Sequence, residues 1–511
     1  MKTPQSRGFG VSLLKSLHSG MRNKSNNIPL WFITTAFLWG VAIFYLGSDI
    51  LHTTDAQRYA ILAKNLLDGK GYTLAGWPEL VYPPGYSFVL IPFLILGISF
   101  DKAIALLNAI AIFGLAVIIY KLVQFILGRQ IAIVSSLFIV ANGNIVYWAS
   151  LGMVEPVWLL SLFASGYFFL LRKNKFTLLS GFLAGFSYLF KPETLGYVFI
   201  FLMIHFLKKE KDLIKYLRFL IPFILIVFSY SFWLYKNSGI LTYSGKTAGL
   251  YWDSFIENKN LKQYDLAYFL HSDNSVGITL KDKSPISINL IKRLSINLNN
   301  AKRALFEILL PLKIILFALL LSFVKLKKKS RYLIYASAFL FPSFSSLVFH
   351  IENRYLIFFI VYVVFIITFA IFTVNRRRVN KLVSLFLLFT LVVVTYYSYW
   401  PLKTEFKNLK IDKSEIKTAI ADSNIQNSLI LSTKPVYSYF LEKDYYPLPR
   451  VDDYDKLKGF FNYYSNYVVI LDDWSKNTMS KEDAYIQDYA NNLGLTKVGG
   501  NQYSKIRIFK K

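Results

Sequence analysis

The chain of 511 residues is 54% hydrophobic and 17% aromatic, with a formal charge of +28. Long apolar runs separated by short basic clusters exclude a water-soluble globular protein and indicate a polytopic α-helical membrane protein, with Tyr and Trp near run ends at headgroup level. No cysteine is present, which excludes disulfides, thiol nucleophiles and Cys-ligated zinc, and the five histidines are scattered without metal-ligand spacing.

In chain order, residues 1–29 form a basic tail, read as cytoplasmic. Residues 30–47 are predicted to be a retained membrane helix, because no small-residue cleavage pattern follows a short apolar core. Further spans are predicted at 103–123, 131–148, 156–171, 176–190, 194–207, 219–235, 305–324, 332–350, 355–374 and 382–400. Residues 86–100 are apolar, but the run is only about 15 residues long, contains Pro92 and follows Pro83-Pro84. A run of that kind is re-entrant or juxtamembrane.

The distribution of charge supports that choice. If 86–100 does not cross, one face receives the N-terminal tail and the clusters around Lys121 and Arg129, Arg172 to Lys175, Lys208 to Arg218, Lys325 to Arg331 and Arg376 to Lys381. Almost no acids accompany them. If it did cross, the tail and the later clusters would lie on opposite faces, against the positive-inside rule. The expectation is therefore eleven spans plus one re-entrant or juxtamembrane helix, with the N-terminus inside and the C-terminus outside the cytoplasmic (inner) membrane. Residues 30–400 form the membrane domain, with outer loops 48–102 and 236–303. The second loop, with Tyr243-Ser244-Gly245-Lys246 and Tyr251-Trp252, is long enough for a lid, and an unstructured linker is the alternative.

Past Trp400 the composition turns polar, and 401–511 is expected to be a small soluble α/β domain outside the membrane. Strands are predicted at 428–432 and 467–471, and helices at 453–464 and 481–493.

This topology gathers charged residues near helix ends on the outer face. Asp55 is either an N-cap of the helical stretch 56–67 or a reactive carboxylate. Asp49 is either a solvated flank or a ligand. Glu155 starts an apolar span, where a helix dipole alone favours it. Lys191-Pro192-Glu193 and Glu352-Asn353-Arg354-Tyr355 are tight turns that suit either local ion pairs or a ligand site. Together, carboxylates at 55, 155, 193 and 352 and cations at 191 and 354 suit a substrate that is part lipid, part phosphate and part polar headgroup. Displacement at a phosphate-linked carbon requires a base for the incoming hydroxyl and positive charge beside the departing phosphate. No Walker loop, dinucleotide fingerprint or nucleophile elbow occurs, and the basic loops reflect membrane orientation, not nucleic acid.

The order Asp55-Ala56-Gln57-Arg58-Tyr59, Gly69-Lys70-Gly71-Tyr72, Tyr82-Pro83-Pro84-Gly85-Tyr86 and Glu155-Pro156 resembles the membrane-embedded GT-C glycosyltransferases. The likeness is to bacterial members related to the protein O-mannosyltransferase and aminoarabinose-transferase group, family 39-like, and covers roughly residues 30–200. The resemblance implies transfer of a sugar from a polyprenyl-phosphate donor to a lipid, glycan or protein acceptor at the outer face. It maps Asp55 onto the first-loop catalytic acid, as base, and Glu155 onto the second outer-loop acid. Lys191 and Arg354 become candidates for the lipid phosphate, and Asp49, Tyr59, Tyr82, Glu193, Glu352 and Tyr355 for other substrate contacts. Relatives often carry Asp-Glu where this chain has Asp55-Ala56. A metal-independent reaction is therefore favoured, with a divalent cation left open. A transporter or flippase of a polyprenyl-linked glycan, or a receptor or scaffold, are the alternatives. The absence of repeated halves speaks against the transporter, and the acids between helices would have no role in the scaffold.

Overall fold

The computed structural model describes residues 27–245 apart from 75, 172–173, 208–211 and 240, then 402–447 with short gaps. It also describes the strands at 467–472, 496–499 and 506–510, and isolated positions between 361 and 399. Several expectations lie outside the described residues. These are the spans 305–324 and 332–350, nearly all of 355–374 and 382–400, the loop 236–303 beyond 245, Glu352, Arg354, Tyr355, and the helices at 453–464 and 481–493.

Helix α1 (Leu30–Asp49) leads into the loop helix α2 (Thr54–Leu67), the short hairpin β1 (Thr73–Leu74) and β2 (Trp77–Pro78), and helix α3 (Gly85–Ile95). With 11 residues α3 rises about 16 Å, half the thickness of a bilayer core. Helix α4 (Phe100–Leu127) then packs along α1.

The span predicted at 131–148 is broken. It consists of α5 (Arg129–Val140) and α6 (Gly143–Ser150), bent by 51°. Asn142 leaves the helical path to cap α6, its side chain accepting from the Asn144 N–H at 3.1 Å. The carbonyls freed at the break are not left bare. Val140 accepts from the Trp39 indole at 2.9 Å and Ala141 from the Tyr399 hydroxyl at 2.8 Å, which is how a helix breaks at membrane depth without orphaned backbone groups.

Helices α7 (Glu155–Leu170), α8 (Asn174–Phe190) and α9 (Thr194–Leu207) follow, then α10 (Leu213–Ser238), which packs along α8. Among the described residues, α1, α4 and α10 are long and apolar enough to cross a membrane, and the bent α5–α6 pair makes a fourth by the same measure. Helices α7 to α9 have 16, 17 and 14 residues and rise only about 21 to 26 Å. A turn at 151–154 built on the left-handed Gly152 and a charged turn at 191–193 cut them short, and Glu155 and Lys191 sit at those ends.

The C-terminal elements are α11 (Leu402–Asp422), β3 (Leu429–Ser432), α12 (Val436–Phe440), β4 (Tyr446–Pro447), β5 (Tyr467–Asp472), β6 (Thr496–Gly499) and β7 (Ile506–Lys510). The sheet runs in the order β4-β3-β5-β7-β6, with β3 parallel to β4 and β5, and β7 antiparallel to β5 and β6. Ile430, Val468, Ile470 and Ile508 pack beneath Ile416 and Ala419 of α11. Leu51, from the junction of α1 and α2, enters the same apolar cluster. The C-terminal elements thus have part of their core supplied by the junction of α1 and α2.

Candidate active site

Helix α2 starts with Thr53 as its N-cap, whose hydroxyl accepts from the Ala56 N–H at 3.3 Å. Capping is therefore done by Thr53, and the expectation of an Asp55 cap is corrected. One hydroxyl suffices for that orphan donor, which leaves the Asp55 carboxylate for other contacts. Its Oδ1 accepts from the Tyr82 hydroxyl at 2.9 Å.

The stiff Tyr82-Pro83-Pro84-Gly85 stretch carries Tyr82 back over α2. Gly85 makes this possible, since a Cβ there would lie 2.7 Å from the Leu189 carbonyl group at the end of α8. Tyr59 packs edge-on against Tyr82 (centroids 5.4 Å apart) and tilted against Tyr86 (5.2 Å). Arg58 lies with its guanidinium 5.2 Å from the centroid of Tyr82 and 5.8 Å from that of Tyr445, and donates to the Tyr82 hydroxyl at 3.4 Å.

Electrostatics keeps the donors in this cluster as donors. Burial pushes the Tyr82 phenol well above the ordinary tyrosine value; Arg58 opposes this, and Asp55 and Glu79 reinforce it. Tyr82 therefore stays protonated and donates to Asp55. Burial works against the Arg58 cation, yet Tyr82, Tyr445, Glu79 and Asp55 outweigh it and hold the guanidinium charged. Glu79 is raised by burial, against the lowering pull of Arg58 and of the Tyr82 and Val81 N–H groups that its carboxylate accepts.

Glu155 forms a second centre. It is the first residue of α7, wholly buried, and its Oε1 lies 2.7 Å from the Lys191 ammonium. Lys191, for which the sequence left a local pair with Glu193 or a ligand open, thus has a carboxylate partner 36 residues away in the chain. The ammonium also lies 5.1 Å from the centroid of Trp158, whose indole donates to Thr194 at 2.8 Å. The second oxygen of Glu155 is buried without a hydrogen-bond partner, a costly state in a protein interior.

The turn before Glu155 is pressed onto α2 by Gly152. Its φ of +77° is left-handed, and a Cβ there would fall 2.5 Å from Ile104 and 2.9 Å from Ala56. The two centres meet at Tyr59, which lies within electrostatic reach of both Asp55 and Glu155.

The structure brings together Asp55, Tyr59 and Tyr82, and places Glu155 and Lys191 next to them. It places Asp49 elsewhere, 3.0 Å from Lys410 on an exposed surface. Several residues of the cluster were not picked out from sequence. Arg58 stood inside the quoted motif without a role, and Glu79 and Trp158 carried no periodic or spacing signal. Tyr445 lies nearly 400 residues from Arg58 in sequence, so only the fold joins them. Among the described residues no group of three His, Asp or Glu is arranged to hold a metal ion.

No protein-family model and no curated protein sequence matches the chain. Solved structures do. Two crystal structures of ArnT from Cupriavidus metallidurans, in the apo state and bound to undecaprenyl phosphate, align over 94% of this chain and 97% of theirs, with 11% identity and a TM-score of 0.48. The oligosaccharyltransferase of Archaeoglobus fulgidus, solved with a tethered acceptor peptide, aligns over 88% of this chain and 69% of its own, with 11% identity and a TM-score of 0.55. The chain therefore shares the fold of the archaeal oligosaccharyltransferase over most of its length.

Proposed function

We propose that this protein is an integral membrane glycosyltransferase that moves a sugar from a polyprenyl-phosphate donor to an acceptor hydroxyl at the outer face of the cytoplasmic membrane. The observation that carries the reading is Asp55. It is a carboxylate on the first-loop helix, relieved of capping by Thr53 and oriented by a neutral phenol, in a chain with the GT-C fold. A carboxylate that accepts from a phenol keeps a lone pair for an incoming proton.

In this reaction Asp55 takes the proton of the acceptor hydroxyl as its oxygen bonds to the anomeric carbon. The bond from that carbon to the phosphate oxygen breaks, and its electron pair leaves on the polyprenyl phosphate. Glu155 receives hydroxyls of the donor sugar or the acceptor, which suits its unpartnered buried oxygen. Lys191 and Arg354 are proposed as phosphate partners, with Glu155 fixing the Lys191 ammonium in place. The proposed topology has eleven spans, the N-terminus inside, and residues 401–511 as the extracytoplasmic domain. Hexose or pentose donors and lipid, glycan or protein acceptors all fit this chemistry.

The test is Asp55→Asn in membranes supplied with polyprenyl-phosphate sugars. Removal of a general base lowers turnover by about 10²- to 10⁴-fold, and protein abundance should not change. Full activity in Asp55→Asn would remove the assignment. Sugar-independent movement of labelled lipid carrier across the bilayer, without transfer, would favour a flippase.

A further inference from the structure

The C-terminal elements touch helix α2 along its whole length. Ahead of the helix, the Leu51 N–H donates to the Leu409 carbonyl at 3.3 Å, and Lys413 donates to the Ser48 carbonyl at 2.6 Å. The His52 Nδ1 lies 2.8 Å from the Tyr439 hydroxyl, and Tyr439 is itself fully buried. In the first turns, Arg58 faces the ring of Tyr445. Near the C-terminal end, the Asn65 side-chain amide donates to Asp444 Oδ1 at 2.9 Å. Positions 58 and 65 are seven residues apart, a spacing that puts them on one face of the helix, and His52 lies just ahead of its N-cap Thr53.

The chain is turned to reach this face by Glu442, which holds φ at +52° just after α12. A left-handed conformation is unfavourable for a residue with a Cβ. It persists here because both sides of the turn are anchored: Lys443 N–H bonds back to Ser438, and Asp444 accepts from the Tyr445 N–H as well as from Asn65. The residue after Arg58, Tyr59, about 100° round the helix, meets Tyr82 and Tyr86. Helix α2 is thus clamped between its own loop and the C-terminal segment, and Arg58 reaches both sides of the clamp.

We infer that segment 436–447 is a working part of the Asp55 centre, with Tyr445 a positioning residue that confines the Arg58 guanidinium against Tyr82. This inference rests on the reading of Asp55 as the base. The physical argument concerns water. Between two rings, the guanidinium is shielded, and its field on Asp55, Glu79 and Tyr82 is strong because little solvent intervenes. Without the Tyr445 ring, water reaches Arg58 and that field weakens, so the Asp55 carboxylate loses support for its charged, proton-accepting form. The phenolic oxygen of Tyr445 is not needed for this; the ring is.

Because the chain contains no cysteine, Asp55→Cys installs a single thiol as a reporter in the full-length protein. The pH midpoint of its alkylation by iodoacetamide reads the field at position 55 and requires no sugar donor. Arg58→Gln should raise the midpoint by about one pH unit, and Tyr445→Ala should raise it by about half as much. Tyr445→Phe should leave it unchanged. Tyr445→Ala added to Arg58→Gln should give no further shift, because its effect passes through Arg58.

The inference is overturned if Tyr445→Ala leaves the midpoint unchanged, if it shifts it equally with and without Arg58, or if Tyr445→Phe acts like Tyr445→Ala. Where Tyr445→Ala does not accumulate, Tyr445→Leu is used, with a rise again expected and an unchanged midpoint overturning the role. This result is independent of the Asp55→Asn transfer assay. A coupled thiol shift beside undiminished Asp55→Asn activity leaves the clamp standing and removes the base.

Discussion

Two aspartates occupy the second position of a helix, and the structure uses them differently. Asp101, on α4, is 12% exposed and lies 2.9 Å from Lys413, 3.4 Å from Lys417 and 3.6 Å from His52. Burial lowers the His52 pKa, with Asp101 pulling the other way, so this cluster is a tie among groups that the C-terminal helix and the first loop bring to one carboxylate. Asp55, on α2, accepts from a neutral phenol and lies near one shielded guanidinium. A carboxylate gripped by two ammonium groups is a poor base, because taking a proton would forfeit both ion pairs. One oriented by a phenol gives up far less. Position in a helix does not separate structural from reactive acids; the partners do.

The sharpest way to break this comparison after Asp55→Asn is to attack the buried pair. Lys191→Ala leaves Glu155 buried with no cation at 2.7 Å. Loss of one partner of a buried pair costs about 3–5 kcal/mol, so a large drop in thermal stability and in abundance is expected, measured by melting in detergent. Activity should fall with it, in contrast to Asp55→Asn, where turnover is lost and melting is little changed. Equal melting of Lys191→Ala and the native chain would mean that the Glu155–Lys191 pair contributes nothing to stability.

Asp101→Ala comes next. It strands Lys413, whose side chain is 8% exposed, beside His52 at the seam of the C-terminal elements. A loss on the order of 3 kcal/mol is expected, and protease should cut the seam between α11 and the first loop more readily. If Asp101→Ala instead abolished transfer without a change in melting or protease sensitivity, the division between a structural and a reactive aspartate would be reversed.

Much of the membrane part was legible in the sequence. Apolar runs gave α1 and α7 to α9 to within two residues at each end, and α4 and α10 to within about three to six, because burial in lipid imposes a long hydrophobic signal while the charged or polar ends of the longer helices fall outside it. Pro92 and the length of the run marked α3 as short. The break at Asn142 was not legible, since the partners that satisfy its freed carbonyls, Trp39 and Tyr399, lie far away in the chain. Helix α11 was missed for another reason. Its stripe of Leu402, Phe406, Leu409, Ile416 and Ile420 has helical spacing, but Lys413 interrupts it, and a buried lysine reads as a surface one until Asp101 is placed beside it. In the site, Asp55, Tyr59 and Tyr82 were legible because they lie in one loop. Arg58 with Tyr445 was not, because a cation between two rings has no sequence period. The pairing of Lys191 with Glu155 was not legible either, because the two lie 36 residues apart and the turn offered only Glu193 as a local partner.

The smallest expected effect concerns Asp49, which sequence placed among the substrate contacts. Its Oδ2 meets Lys410 at 3.0 Å, but both side chains are 65% exposed. Water and salt screen such a pair, and the side chains lose rotamer freedom to hold it, so Lys410→Ala should change stability by at most about 0.5 kcal/mol. The substitution also releases the Asp49 carboxylate. If Asp49 served the substrate, releasing it would alter KM for the acceptor or donor, and Asp49→Asn would alter it the other way. The geometry predicts that neither variant changes KM or kcat by more than about twofold, a change worth under half a kcal/mol. A larger effect from both, in opposite directions, would extend the reactive face of the loop from Asp55 back to the end of α1 and narrow the contrast with Asp101.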